Sequence, residues 1–217
     1  MIKLVIIDFD DTISLTEEAF FGIENHIAKE MGFIPMTRAA HQKNWGVPIK
    51  KAIVERIPGI NPNLFLENLG EALPGFVALG KVDAISNENI GTLETLKKCG
   101  KHLAILTSRT IKEAKHLLDQ DHHINKWVEK IYHADNLNYL KPDPRAFSQC
   151  LVDFKVGAQE AVYIGDSVSD GVSAKGAGIH FIASLESGLR TKKDFKSVQV
   201  DFFANTFPEI IDYIDKH

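Results

Sequence analysis

Five short apolar runs, each bounded by polar or turn-forming residues, constrain this chain more than any other feature. They are Leu4–Ile7, His102–Leu106, Lys130–Tyr132, 161–164 and 180–183. Runs this short, apolar at successive rather than alternate positions, suit strands buried on both faces. Helix-period segments separate them. Residues 110–120 carry Ile111, Ala114, Leu117 and Leu118 on one face, residues 144–154 carry Phe147, Cys150, Leu151 and Phe154, and residues 208–214 carry Ile210, Ile211 and Ile214. Asp143 followed by Pro144 supplies an N-cap and a first-turn residue to the second of these. Buried strands alternating with helices predict an α/β fold with a mostly parallel sheet.

One interval breaks the alternation. Thr12 and Thr107 are separated by about three times the roughly 30 residues that a single strand–helix–strand crossover needs. The excess reads as helical. Ala19, Phe20, Ile23, Ile27 and Met31 form an apolar stripe that ends at Gly32. Short helices are predicted over 48–56 and 63–73, separated by Pro58-Gly59 and ended by Pro74-Gly75. The expected organisation is an α/β core over 1–13 and 84–217, with a small helical domain over 14–83 inserted after the first strand.

In an open parallel sheet, ligands bind at the carboxyl ends of the strands. Here those ends are rich in chemistry. The first strand runs into Asp8-Phe9-Asp10-Asp11-Thr12, and the second into Thr107-Ser108-Arg109. Beyond the third lies Lys141-Pro142-Asp143, and after the fourth come Gly165-Asp166 through Asp170 and Gly171. Asp8 and Asp10 are two apart and Asp166 and Asp170 four apart, so each pair can share a face. So many like charges in one place repel strongly unless they are paired. A hard divalent cation such as Mg²⁺, which prefers oxygen ligands and shares them with phosphate, resolves the conflict. Lys141 can neutralise phosphoryl oxygens, Thr107 offers a hydroxyl with Thr12 and Ser108 in support, and the Gly165 and Gly171 positions let backbone amides approach. Asp8 is the natural nucleophile. Asp10, two residues on, can protonate a leaving oxygen and then activate water.

Composition narrows the partners. The net charge of −4 lacks the basic excess of a phosphate-backbone binder, so no nucleic acid is expected. The two cysteines, Cys99 and Cys150, have no metal-ligand spacing, and Cys150 reads as a small buried hydrophobe. The apolar run at Leu4–Ile7 is too short for a signal peptide and passes straight into acids. No segment approaches a membrane span. A cytoplasmic protein acting on a small molecule, with no membrane partner, is the expectation.

The strand-end residues resemble the haloacid dehalogenase superfamily, whose pattern is Asp-x-Asp-x-Thr, a strand ending in Thr or Ser, a Lys, and Gly-Asp-x-x-x-Asp. Here it reads Asp8-Phe9-Asp10-Asp11-Thr12, Thr107, Lys141-Pro142, and Gly165-Asp166 through Asp170. The resemblance covers residues 1 to about 205 and implies a Rossmann-like core. It also implies roles. Asp8 would be nucleophile and Mg²⁺ ligand, and Asp10 the general acid/base with its backbone carbonyl on the metal. Thr107 and Lys141 would hold the phosphoryl group. Asp166 would be the main metal carboxylate of the last motif, with Asp170 assisting directly or through water. The insert resembles the helical C1 cap of the phosphoglycolate phosphatase-like branch, which closes over the site and reads the leaving group. The activity implied is a Mg²⁺-dependent phosphatase acting on a small phosphomonoester through an aspartyl-phosphate.

The position after the second acid is usually Gly in this branch, and here it is Asp11. Asp tolerates unusual backbone angles, so the turn is expected to survive. Ser86-Asn87-Glu88-Asn89 replaces the usual Pro-Gly before the helix that leads into the second strand. Asp10 favours phosphate over halide chemistry, because the dehalogenases proper lack that acid. Arg38, His41, Trp45, Gly46, Lys50 and Lys51 gather around a break near Gly46-Val47-Pro48, and Trp45 and Lys50 are the substrate contacts expected from the insert. The alternatives are core packing for Trp45 and a solvated helix face for Lys50 and Lys51. Ser108 and Arg109 are expected to touch substrate. A phosphomutase of the same fold, or a receiver-like module that binds phosphate without turnover, uses related residues. The receiver places them in another order and lacks the insert.

Overall fold

The computed structural model describes residues 1–45, 49–119 and 122–217, which form two compact units, Met1–Ser14 with Ile85–His217, and Leu15–Ala84. In the first unit, six parallel strands stand in the order β3-β2-β1-β4-β5-β6. They are β1 (Leu4–Ile7), β2 (His102–Leu106), β3 (Lys130–Tyr132), β4 (Ala161–Gly165), β5 (His180–Ser184) and β6 (Phe202–Ala204). Central β1 pairs with β2 on one side and β4 on the other, with Ile7 opposite both Ile105 and Ile164. Five of the strands were expected. β6 was not, because a three-residue run at a sheet edge carries too little periodicity to separate it from loop.

The successive apolar residues of the central strands feed two cores. Val5, Ile7, Leu103, Ile105, Val162 and Ile164 face one side; Leu4, Ile6, Ala104, Leu106, Tyr163 and Phe181 face the other. The first side is covered through Leu93 and Leu96 of α5 (Asn87–Lys98), Ala114 of α6 (Ile111–Ala114) and Ile210 and Ile214 of α9 (Ile210–Ile214). The second is covered through Cys150 of α7 (Ser148–Phe154) and Ala174 of α8 (Val168–Gly176). Cys150 is fully buried, as its place in an apolar stripe suggested. Capping is where the sequence implied it. Ser86 Oγ accepts from the Asn89 amide at 3.1 Å, and Asp143 Oδ1 accepts from Arg145 at 2.9 Å, the latter at the head of a 3₁₀ turn that leads into α7. Because all the strands are parallel, their carboxyl ends share one edge. That edge gathers the residues after β1, β2 and β4.

The second unit is helical: α1 (Thr16–Glu30), α2 (Arg38–Lys43), α3 (Ile49–Arg56) and α4 (Pro62–Ala78) around Ile23, Ile27, Ile53, Ile57, Phe65 and Leu69. The α1 stripe ends as read, with Gly32 at φ +82°. Two details differ. α2, six residues long and capped by Thr37, carries too short a pattern to be read from sequence. Pro74-Gly75 does not end α4, which runs through to Ala78. Proline costs the helix one bond, but Phe65 and Leu69 before it and Phe76 and Val77 after it pack on the same cluster, which holds both halves in line.

Candidate active site

The ladder continues one residue past β1, with Asp8 N donating to Ile164 O at 2.9 Å. The chain then folds into a tight turn. Ile13 and Ser14 N both donate to Phe9 O at 3.2 Å, and Asp11 adopts φ +54°. Aspartate does here what glycine ordinarily does. The turn aims Asp8 inward. Its Oδ1 accepts from the Phe9 amide at 2.8 Å, and Oδ2 pairs with Lys141 Nζ at 2.9 Å.

Lys141 is the hub. Its side chain is 4% exposed, and Nζ also donates to Asp170 Oδ1 and to the Tyr163 hydroxyl, each at 2.7 Å. Asp170 is held on its other oxygen, where Oδ2 accepts from Ser167 N at 3.0 Å and Ser167 Oγ at 2.6 Å. Asp170 is thus both the closing acid of the α8 capping box and the partner of the lysine. Gly165 makes the approach possible, since a Cβ there would lie 2.7 Å from the Asp170 carboxyl. Gly171, expected to admit a phosphate, instead makes room for Val198 and Phe181.

Carboxylate oxygens of Asp8, Asp166 and Asp170 lie within 4.8 Å of one another. One ammonium cannot balance three such acids. Burial, followed by the charges of Asp170 and Asp10, pushes Asp8 up to about 7 against the opposing pull of Lys141. Burial and the charges of Asp170, Asp8 and Asp11 hold Asp166 well above the usual carboxylate range. Burial works against the charged form of Lys141, but Asp170 and Asp8 outweigh it and hold the lysine above its ordinary value. Three hard oxygen donors with surplus negative charge form a donor set that suits Mg²⁺. Asp8 and Asp166 are the residues best able to hold it. Both Asp170 oxygens are already engaged, by Ser167 on one and by Lys141 and Tyr163 (3.3 Å) on the other.

The Asp10 carboxylate stands outside this cluster. Arg109 grips it in a fork, Nε to Oδ2 at 3.0 Å and Nη2 to Oδ1 at 2.5 Å. Of the four expected metal residues, three carboxylates therefore converge while the side chain of Asp10 faces an arginine. Thr107 is buried, its Oγ1 accepting from Arg109 N at 3.2 Å, which leaves its proton to donate. Thr12 Oγ1 is buried with no hydrogen-bond partner among the described residues. Ser108 is exposed.

The residues expected from the insert fare differently. Arg38 pairs with Glu17 at 2.6 Å, and His41 is wholly buried against Glu17 at 2.6 Å. The Trp45 ring lies 5.1 Å from His41 and 6.2 Å from Phe20, so packing describes it. Lys50 and Lys51 are exposed on α3. Gly46, Val47 and Pro48 lie outside the described residues. Tyr163 and Ser167 were missed. A tyrosine in a strand buried on both faces must find a partner for its hydroxyl, and that was the available signal for Tyr163.

Comparison with known proteins shows what the chain is similar to. The family model of haloacid dehalogenase-like hydrolases matches residues 5–184. A phosphoglycolate phosphatase of Vibrio parahaemolyticus is 28% identical over 123 residues, an alignment covering 57% of the chain but only 53% of that relative. One from Vibrio cholerae is 24% identical over 222 residues, covering 98% and 97% of the two chains. The solved structure of a candidate β-phosphoglucomutase of Thermotoga maritima superposes with a TM-score of 0.80 at 23% identity, over 99% of each chain, a likeness of fold.

Proposed function

The chain belongs to the haloacid dehalogenase-like hydrolase family, and on that premise we propose that it is a phosphatase acting on small phosphomonoesters of the phosphoglycolate kind, through an aspartyl-phosphate on Asp8. The crowding of Asp8, Asp166 and Asp170 around a single lysine carries this reading. The names of the two Vibrio relatives support the substrate class.

The residues divide the work. An oxygen of the Asp8 carboxylate attacks phosphorus, and the bond from phosphorus to the leaving oxygen breaks. Asp10, once out of its pair with Arg109 and protonated from solvent, gives that oxygen a proton. The resulting Asp10 carboxylate then takes a proton from water as the water oxygen attacks the aspartyl-phosphate, the bond to Asp8 breaks, and inorganic phosphate leaves. Lys141 and the Thr107 hydroxyl steady the phosphoryl oxygens, and Asp170 and Tyr163 keep the lysine in place. Mg²⁺, when bound by Asp8 and Asp166, supplies Lewis-acid neutralisation of the phosphoryl charge.

Replacing the nucleophile tests the reading. Asp8→Asn is expected to lower turnover of p-nitrophenyl phosphate by about 10⁴-fold or more with unchanged circular dichroism. An active variant would remove Asp8 from the role. Steady release of inorganic phosphate separates hydrolysis from mutase chemistry, in which a bisphosphorylated sugar would accumulate instead.

A further inference from the structure

The fork between Arg109 and Asp10 needs a reason. It places the general acid/base in a two-point ion pair, which occupies both of the oxygens through which Asp10 would transfer a proton. The two partners are unequally held. Arg109 is fixed along its backbone, with N donating to Thr107 Oγ1 at 3.2 Å and O accepting from Ala134 N at 2.8 Å. Its guanidinium lies 4.9 Å over the Phe9 ring, and its side chain is 12% exposed. Asp10 sits in the turn after β1 with its side chain 34% exposed. Both backbones are held, Asp10's by its bridge to Ser14, and the side chain of Asp10, shorter and more exposed, is the one that can swing away.

We infer that Arg109 is an anion-exchange point, at which a carboxylate carried by the leaving group displaces the Asp10 carboxylate and frees both of its oxygens. The inference rests on the phosphatase reading and names the feature of the substrate that the α/β unit recognises. A planar carboxylate fits because Arg109 already presents its Nε–Nη2 edge to one, in the bidentate geometry that only arginine provides. A second phosphate fits less well, since it would bring a dianion beside the surplus charge of Asp8, Asp166 and Asp170. An uncharged leaving group cannot make the exchange and leaves Asp10 engaged.

Binding tests this independently of turnover. On the Asp8→Asn background, with Mg²⁺ present, 2-phosphoglycolate is expected to bind about tenfold or more tightly than 2-hydroxyethyl phosphate in calorimetry. Adding Arg109→Gln should bring that ratio close to one, and Arg109→Lys should leave it between. Adding Asp10→Ala, which removes the competitor, should raise the ratio severalfold. Three results would overturn the inference: no preference for the carboxylate, a ratio indifferent to Arg109 or to Asp10, or a larger Arg109-dependent gain for ethylene glycol bisphosphate. Failure of the phosphatase reading shows separately, as absent p-nitrophenyl phosphate turnover in the unsubstituted chain.

Discussion

Both units bury acids, and they treat them in opposite ways. In the helical unit Glu24 meets Arg56 at 2.6 and 2.9 Å, and Glu17 meets Arg38 and His41, each at 2.6 Å. Each carboxylate has its own guanidinium. Burial raises Glu17, but the bonds from Arg38, His41 and Gln42 outweigh it and hold the group below the usual carboxylate range. In the α/β unit three carboxylates crowd together with one lysine, which pairs with Asp8 and Asp170 only, and Asp8 and Asp166 are pushed upward instead. Balanced buried charge fixes a structure. Buried charge left unbalanced is what the proposed cation and anionic substrate would complete.

The largest effect is expected at Arg56. Arg56→Met leaves Glu24 buried without its partner, and urea unfolding should show a loss of about 3–5 kcal/mol. In the other unit the sign reverses. Asp8→Asn, in the presence of a chelator, relieves unbalanced charge and should stabilise the chain at neutral pH by on the order of 2 kcal/mol. A destabilised Asp8→Asn chain would erase the distinction.

Asp8 and Glu17 also respond to pH in opposite directions. Asp8 is raised on folding, so the folded chain holds its proton longer. In the metal-free chain that stability is complete below about 3.8 and is lost as pH rises toward 7. Glu17 is lowered on folding, so its contribution is complete above its ordinary value of 4.5 and is lost as pH falls below it. Thermal unfolding of the chelated chain should therefore lose a rising-pH slope between 4 and 7 on Asp8→Asn, and an acid-side slope on Glu17→Gln. The smallest effect expected is at Tyr163. Phe at this position removes one partner of Lys141 and should lower p-nitrophenyl phosphate turnover severalfold, corresponding to about 1 kcal/mol.

The strands and their ends were legible because double burial leaves a run of apolar residues and because the acids follow those runs directly. The turn at Asp11 was legible from what aspartate tolerates. Tertiary packing hid the rest. Nothing local says that the apolar residues on both sides of Pro74 will meet one cluster, or that the Phe202–Ala204 run will pair with β5. The Asp10–Arg109 fork joins residues 99 positions apart, so the sequence could place Arg109 near the chemistry but not on the acid. The ion pairs of Arg38 and His41 were hidden because their partners, Glu17 and Glu24, lie on another helix.

Magnesium titration into the chelator-treated chain, followed by calorimetry, bears most directly on the unbalanced acids. One ion should bind per chain, Asp166→Asn should weaken it by at least about tenfold, and Glu24→Gln should leave it unchanged. A chain that takes up no magnesium, or takes it up equally well without Asp166, would contradict the assignment of this cluster.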